Sequence, residues 1–284
     1  MRPRKHENTN NRSLGSGFVL SCFRGMLLSV VCSVSCGAPL MKLPAGPGSA
    51  AADAGDALTQ ATAVCGGIRT LTAEVAASGN VRGQRIRARL SAGVAAPASA
   101  RLEAVAPFGP PIFILVATDD EATLLLPRDE RVLQHGRPAD VLDAVAGMPL
   151  TAGDLHALLT GCAPAASQPE GRGLGADWRL LTDAVGDALY LHRAGGSQPW
   201  QLVAVIRRTW RVEYRDHLNG LPRTMRVTSV TRDEGAWFDL TLALTQVEIN
   251  VPLDADVFRV QIPKTAQPIT LEELRHARPG VRKN

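Results

Sequence analysis

Cys36 is the residue whose surroundings most narrowly define a chemistry. It follows Ser33-Val34-Ser35 at the end of a leader whose basic start, Arg2, Arg4, Lys5 and Arg12, gives way to apolar residues from Gly15 to Val34, interrupted at Arg24. A leader of this shape is removed during export, and a cysteine at the cleavage point is an acceptor for a lipid anchor. Ser35 is the small residue that such a site requires. Ser33 stands where an aliphatic residue is usual, so an ordinary signal peptide that happens to contain cysteines is the alternative. The uncharged stretch between Arg24 and Cys36 is shorter than the roughly 20 apolar residues of a membrane-spanning helix. Residues 1–35 are therefore expected to be a cleaved signal, with Cys36 as the lipidated residue.

The other reactive side chains point away from catalysis. Cys22 and Cys32 leave with the signal, so Cys65 and Cys162 remain in an oxidising compartment, either as a disulfide or as two separately buried thiols. His135, His156, His192, His217 and His276 have no second His or Cys at metal-ligand spacing, and no metal is expected. Asp119-Asp120-Glu121 has too few regularly spaced oxygens for a Ca2+ loop. Gly171-Arg172-Gly173-Leu174-Gly175 neither follows a predicted strand nor opens a helix, so it is expected to be a loop and not a phosphate cradle. No Gly-x-Ser-x-Gly elbow, cysteine nucleophile setting or clearly paired carboxylates occur, and neither an enzyme nor a cofactor is expected.

Charge excludes another class. Of 31 Lys and Arg and 27 Asp and Glu, the signal carries five basic residues and Glu7, leaving 26 of each and no net charge. The basic isoelectric point of the whole chain is thus no argument for nucleic acid.

The elements that must position any site are mostly strands. In residues 84–90, Ile86, Ala88 and Leu90 alternate with Arg85, Arg87 and Arg89, the period of a half-buried strand; the arginine row is an outer face or a ligand contact. Further strands are predicted at 98–106, 111–118, 121–126, 130–134, 177–183, 187–193, 200–216, 222–232 and 236–250. Thr118-Asp119-Asp120-Glu121, Pro127-Arg128-Asp129, Asn219-Gly220 and Asp233-Glu234-Gly235 are hairpin connections, which makes the order an antiparallel meander. Leu240, Leu242 and Leu244 share one parity and Val247 and Ile249 the other, the signature of a bulge that bends a sheet. Two helices interrupt the meander. Pro138 opens one, with Val141, Leu142, Val145 and Ala146 on one side and Gly147-Met148-Pro149 as its end. Thr151 and Asp154 cap the other, which carries Leu155, Leu158 and Leu159 and stops at Gly161. Another helix is expected near 55–65. The predicted organisation is an Ala/Gly/Pro-rich tether over 36–57, one domain over 58–265 and a polar tail over 266–284, with a short helix near 270–275.

One segment departs from ordinary turn chemistry. Val105-Ala106-Pro107-Phe108-Gly109-Pro110-Pro111 lies between two strands, yet Pro107 and Gly109 define a turn that offers Phe108 in place of Asn or Asp. Phe108 either folds back into the core or stands out as an apolar finger touching acyl chains or a membrane interface.

Ala106-Pro107-Phe108-Gly109, followed by Ala146-Gly147-Met148-Pro149-Leu150 and Asp154-Leu155-His156-Ala157-Leu158-Leu159-Thr160-Gly161, resembles the LolA/LolB lipoprotein-carrier family, and within it the LolB-like outer-membrane receptors. These motifs resemble the family's apolar turn and its helix pair. The resemblance implies a mainly β (α+β) fold: a curved antiparallel open half-barrel with helices covering the concave face. It implies a cavity that receives acyl chains of lipoproteins or other lipids, with Pro107, Phe108 and Gly109 as the membrane-insertion turn. Ile86, Leu90, Leu102, Ile114, Leu124, Leu240 and Leu242 are the inward-parity cavity candidates, faced by Leu142, Leu155 and Leu159 from the helices; a plain packed core is the other reading of each. The family's sorting rule, by which a residue other than Asp after the lipidated cysteine directs a lipoprotein to the outer membrane, is met by Gly37.

If the helix before the first strand and the second covering helix plug one concave face, a Cys65–Cys162 bridge would restrict their opening. Such a pair, the few aromatic residues and the extra chain beyond Asn250 depart from the family pattern; the Val251–Pro263 stretch is similar to uncharacterised LolB-like lipoproteins. The expectation is a monomer anchored in the outer membrane and facing the periplasm, with a LolA-like carrier as a possible partner and no nucleic acid. The alternative is a structural or scaffolding envelope lipoprotein that binds a protein through the same half-barrel.

Overall fold

Alternation of small or apolar residues with polar ones recurs along most of the chain, and only a one-face-buried sheet satisfies it. The computed structural model describes residues 41–163, 170–183, 186–230 and 237–277; the signal, Cys36 and the Asp233-Glu234-Gly235 turn lie outside the described residues. In chain order the elements are β1 (Ser49–Ala50), α1 (Ala54–Thr62), β2 (Thr70–Val81), β3 (Gln84–Ala95), β4 (Ser99–Val105), β5 (Ile114–Thr118), β6 (Glu121–Leu126), β7 (Arg131–Gly136), α2 (Pro138–Ala146) and α3 (Ala152–Thr160). The second half continues with β8 (Glu170–Gly173), β9 (Trp178–Thr182), β10 (Ala188–His192), β11 (Gln201–Ile206), β12 (Trp210–Arg215), β13 (Thr224–Ser229), β14 (Phe238–Ile249), β15 (Gln267–Pro268) and α4 (Leu271–Ala277).

The 15 strands among the described residues form one sheet, ordered β1-β8-β9-β10-β11-β12-β13-β14-β2-β3-β4-β5-β6-β7-β15. Every neighbouring pair is antiparallel except β15 with β7. The two runs of hairpins join where β14 meets β2, and the sheet does not close, so the mainly β, open half-barrel is the observed architecture. At this seam Leu240, Leu242 and Leu244 lie opposite Gly79, Ala77 and Val75. Gly79 has φ +147°, and a Cβ there would collide with the carbonyl oxygen of Asp239, so only glycine fits the seam. The anticipated bulge is present: the β14–β2 register shifts between Thr245 and Glu248, with Gln246 at φ 50°.

Several expectations are corrected. Residues 200–216 are two strands, because Arg207-Arg208-Thr209 reverses the chain and the Arg207 N–H donates to the Trp210 carbonyl at 2.8 Å; no Gly, Pro or Asn announces this turn. Thr70–Val81, for which the sequence predicts no strand, is a central strand, and Glu170–Gly173, expected as loop, is β8. Within the stretch expected as a tether, Ser49–Ala50 pairs with β8 and α1 begins at Ala54. Within the stretch expected as a polar tail, Gln267–Pro268 pairs with β7, Thr270 and Glu273 cap α4, and Leu274 is fully buried. One apolar side of a short helix was enough to draw it onto the body, where it packs against α2.

Helices α2 and α3 form as the sequence indicates. Gly147 and Gly161 end them in the left-handed conformation at φ 69° and φ 68°. The Thr151 hydroxyl accepts from the Asp154 N–H at 3.1 Å, while the Asp154 carboxylate accepts from the Thr151 N–H at 2.9 Å, a complete capping box.

Candidate functional site

Residues directly opposite in antiparallel strands share a face, and this rule builds the concave surface. Leu242 faces Ala77, Ala77 faces Ala88, Val75 faces Leu90, Leu90 faces Ala104, and Ala92 faces Leu102. The small residues at the seam leave space that larger ones would fill. Helices α2 and α3 cross this surface and convert it into a cavity of about 400 Å3, within the roughly 300–1,000 Å3 range of small-molecule sites.

Ile86, Leu90, Leu102, Leu142, Leu155, Leu159, Leu240 and Leu242 all border the cavity. Ile114 and Leu124 do not. Leu102 faces Leu115 and Leu115 faces Leu124, which puts Ile114 on the convex side, paired with Glu103. Parity could not be carried across the Pro107–Phe113 turn, because register there depends on turn length. Leu124 has the expected face but is fully buried within the solid core beyond the cavity. Val75, Ala77, Val81, Ala104, Ile112, Phe113 and Met148 complete much of the apolar wall, and the polar residues on the border are Gln84, Arg85 and Arg87.

At the end of β4 the chain leaves the sheet, and Phe108 is 90% exposed. It does not fold back into the core. Arg128, on the β6–β7 turn, fixes the finger: its Nη2 donates to the Phe108 carbonyl at 2.7 Å and its Nε to the Pro110 carbonyl at 3.1 Å. Gly109 takes φ 79° at the tip, and flanking prolines limit the turn further. The sequence marks Arg128 only as part of a hairpin connection, and nothing in that setting indicates a partner 20 residues away.

The covering helices are secured from both sides. Cys65 and Cys162 are disulfide-bonded, with Cα atoms 5.4 Å apart, tying the turn after α1 to the end of α3. At the other end of α3, Arg207 pairs closely with Asp154 and donates to Asp187 at 2.8 Å. Burial opposes ionisation of Arg207, but these two carboxylates prevail and hold its pKa above the usual arginine value. Arg82 likewise joins the end of β2 to Asp143 of α2 at 3.0 Å.

The histidines lie off the cavity border. Burial lowers the pKa of His156, partly offset by a backbone hydrogen bond at Ile68, and burial likewise lowers that of His217. Burial raises the pKa of Tyr214. His135 pairs with Glu121 at 2.6 Å on the surface. This arrangement can enclose an apolar chain.

No family model matches the chain, and no curated protein matches its sequence. Solved structures do resemble it. A LolA superfamily protein from Nitrosomonas europaea aligns with a TM-score of 0.51 at 12% identity, over 73% of this chain and 97% of that one. A DUF1329 family protein from Desulfovibrio piger gives 0.48 at 11% identity, over 74% and 98%. A putative outer membrane lipoprotein-sorting protein domain from Vibrio parahaemolyticus gives 0.43 at 13% identity, over 72% and 97%. The chain therefore shares its fold with the Nitrosomonas europaea protein, and in this chain that fold is an open antiparallel half-barrel with helices over its concave face.

Proposed function

We propose that this protein is an acyl-chain carrier or receptor, lipid-anchored at Cys36 to the outer membrane and facing the periplasm, that accepts lipoproteins or other lipids and inserts them into that membrane. The observation that carries this reading is the cavity of about 400 Å3 in a molecule that also holds a braced, 90% exposed Phe108. Burying each methylene contributes roughly 0.8 kcal/mol, so an apolar cavity can hold a long chain without a polar motif. The cavity would shelter the acyl chain. Phe108, shaped by Pro107 and Gly109, would enter the membrane interface and let the chain pass into it.

The reading requires no covalent step, and the residues bordering the cavity offer none. A LolA-like periplasmic protein is the partner that such a receptor would take its cargo from. Purification followed by lipid mass spectrometry tests the core of the proposal: acyl lipid should copurify, and a fluorescent fatty acid should be taken up. Lipid-free protein that takes up no fatty acid would refute it.

A further inference from the structure

Strand β3 extends past its neighbour. Its pairing with β4 runs from Arg89 to Ala95, so among the described residues Gln84–Ala88 are paired on the β2 side only. This leaves a strand edge whose backbone polar groups have no partner strand, directly on the cavity border. Arg85 and Arg87 belong to the edge. Their parity sets them on the sheet face opposite Ile86 and Ala88, yet with no β4 beside them both border the cavity.

Both arginines are exposed, and among the described residues neither guanidinium has an ion-pair or hydrogen-bond partner. The residues directly opposite, Asn80 and Ser78, carry no charge. Arg82, a few residues earlier, is by contrast matched by Asp143. An apolar cavity whose charged border consists of two unmatched guanidiniums is complementary to an amphiphile with an apolar chain and an anionic head. Guanidinium is the side chain best suited to that head, because its planar fork binds phosphate or carboxylate oxygens in pairs.

Resting on the acyl-cavity reading, we propose that Arg85 and Arg87 form a headgroup site that selects anionic amphiphiles, those with a phosphate or carboxylate at the end of the acyl chain. Arg89 provides an internal control: it is exposed on the same face of the same strand but does not border the cavity.

The test compares two lipids with the same oleoyl chain, lysophosphatidylglycerol and monooleoylglycerol, each below its micelle concentration, by displacement of a fluorescent fatty acid. The anionic lipid should bind about tenfold tighter at low ionic strength, and the preference should shrink as salt screens it. In Arg85→Gln/Arg87→Gln the two lipids should bind within twofold of each other, whereas Arg89→Gln should keep the preference. Equal binding by the unaltered protein would overturn headgroup selection and leave the acyl cavity standing. Failure of both lipids to bind would overturn the two together. Loss of the preference in Arg89→Gln would reduce the arginines to diffuse surface charge, and displacement by glycerol phosphate alone at the same concentration would mean a soluble-phosphate site independent of the cavity; either result refutes the proposal.

Discussion

The guanidinium of Arg128 donates to the carbonyl of Phe108 at 2.7 Å, so the most exposed large apolar side chain among the described residues stands on a turn held from the neighbouring hairpin. Exposure and rigidity occur together at this point. A loose apolar turn would collapse onto the nearest apolar surface; this one is held away from it.

Phe108→Glu should therefore leave thermal stability nearly unchanged, within about 0.5 kcal/mol, as expected of a surface substitution. Fatty-acid uptake should persist while transfer to vesicles falls severalfold. Arg128→Ala should weaken transfer in the same direction by loosening the turn, at a stability cost of about 0.5–1.5 kcal/mol. Paired uptake and vesicle-transfer assays with melting curves separate these effects, and unchanged transfer in both variants would remove the finger from the mechanism.

Filling the cavity should differ from hollowing the core. Ala77 is buried on the cavity border, so Ala77→Phe should abolish fatty-acid uptake while the fold survives. Leu124 is fully buried but does not touch the cavity. Leu124→Ala should cost about 2–5 kcal/mol of stability and leave uptake by the folded fraction unaltered, as urea denaturation and fluorescent titration would register.

The Cys65–Cys162 bridge closes a sequence separation of 97 residues, for which chain-entropy arguments give about 4–5 kcal/mol as the full effect. Reduction, or Cys65→Ser with Cys162→Ser, should lower the denaturation midpoint accordingly. It should also raise amide exchange in α3, whose C-terminal end the bridge holds. Non-reducing peptide mapping should recover the two cysteines linked, and recovery of two free thiols would exclude the bridge.

Acid should destabilise the fold through two histidines. His156 and His217 both have pKa values lowered from 6.5, chiefly by burial. The unfolded chain then binds more protons than the native one as pH falls below about 6.5. Stability from their neutral forms is complete above that value and is lost as pH drops through their lower native pKa values. Urea midpoints measured between pH 7.5 and pH 5 should fall, and His156→Gln/His217→Gln should flatten that part of the profile.

Local rules made much of this architecture legible. Thr151 with Asp154, Gly147 and Gly161 fix helix ends through their own backbone and side-chain chemistry, and the parity change after Leu244 marks the bulge without knowledge of its partner strand. Eight of the ten proposed cavity residues border the cavity because strand period and helix face are local properties. Ile114 fails because the face of a strand depends on the turn before it. The Arg128 brace and the packing of α4 on α2 depend on contacts between distant parts of the chain, which a one-dimensional pattern does not encode, while the Arg207 reversal is local but carries no Gly, Pro or Asn to mark it. Thr70–Val81 is hard to read for another reason: its alternating residues include Ala73, Ala77 and Gly79, too small to resemble a buried row.

The first and last strands in the sheet order, Ser49–Ala50 and Gln267–Pro268, are each only two residues long. An unclosed sheet of this size offers two places where another copy could continue the ladder, the route by which strand-rich proteins form fibres. Here each outer strand gives such a copy almost no length to match, and Pro268 has no N–H to donate. At these two ends, therefore, the open half-barrel presents its shortest strands to another copy.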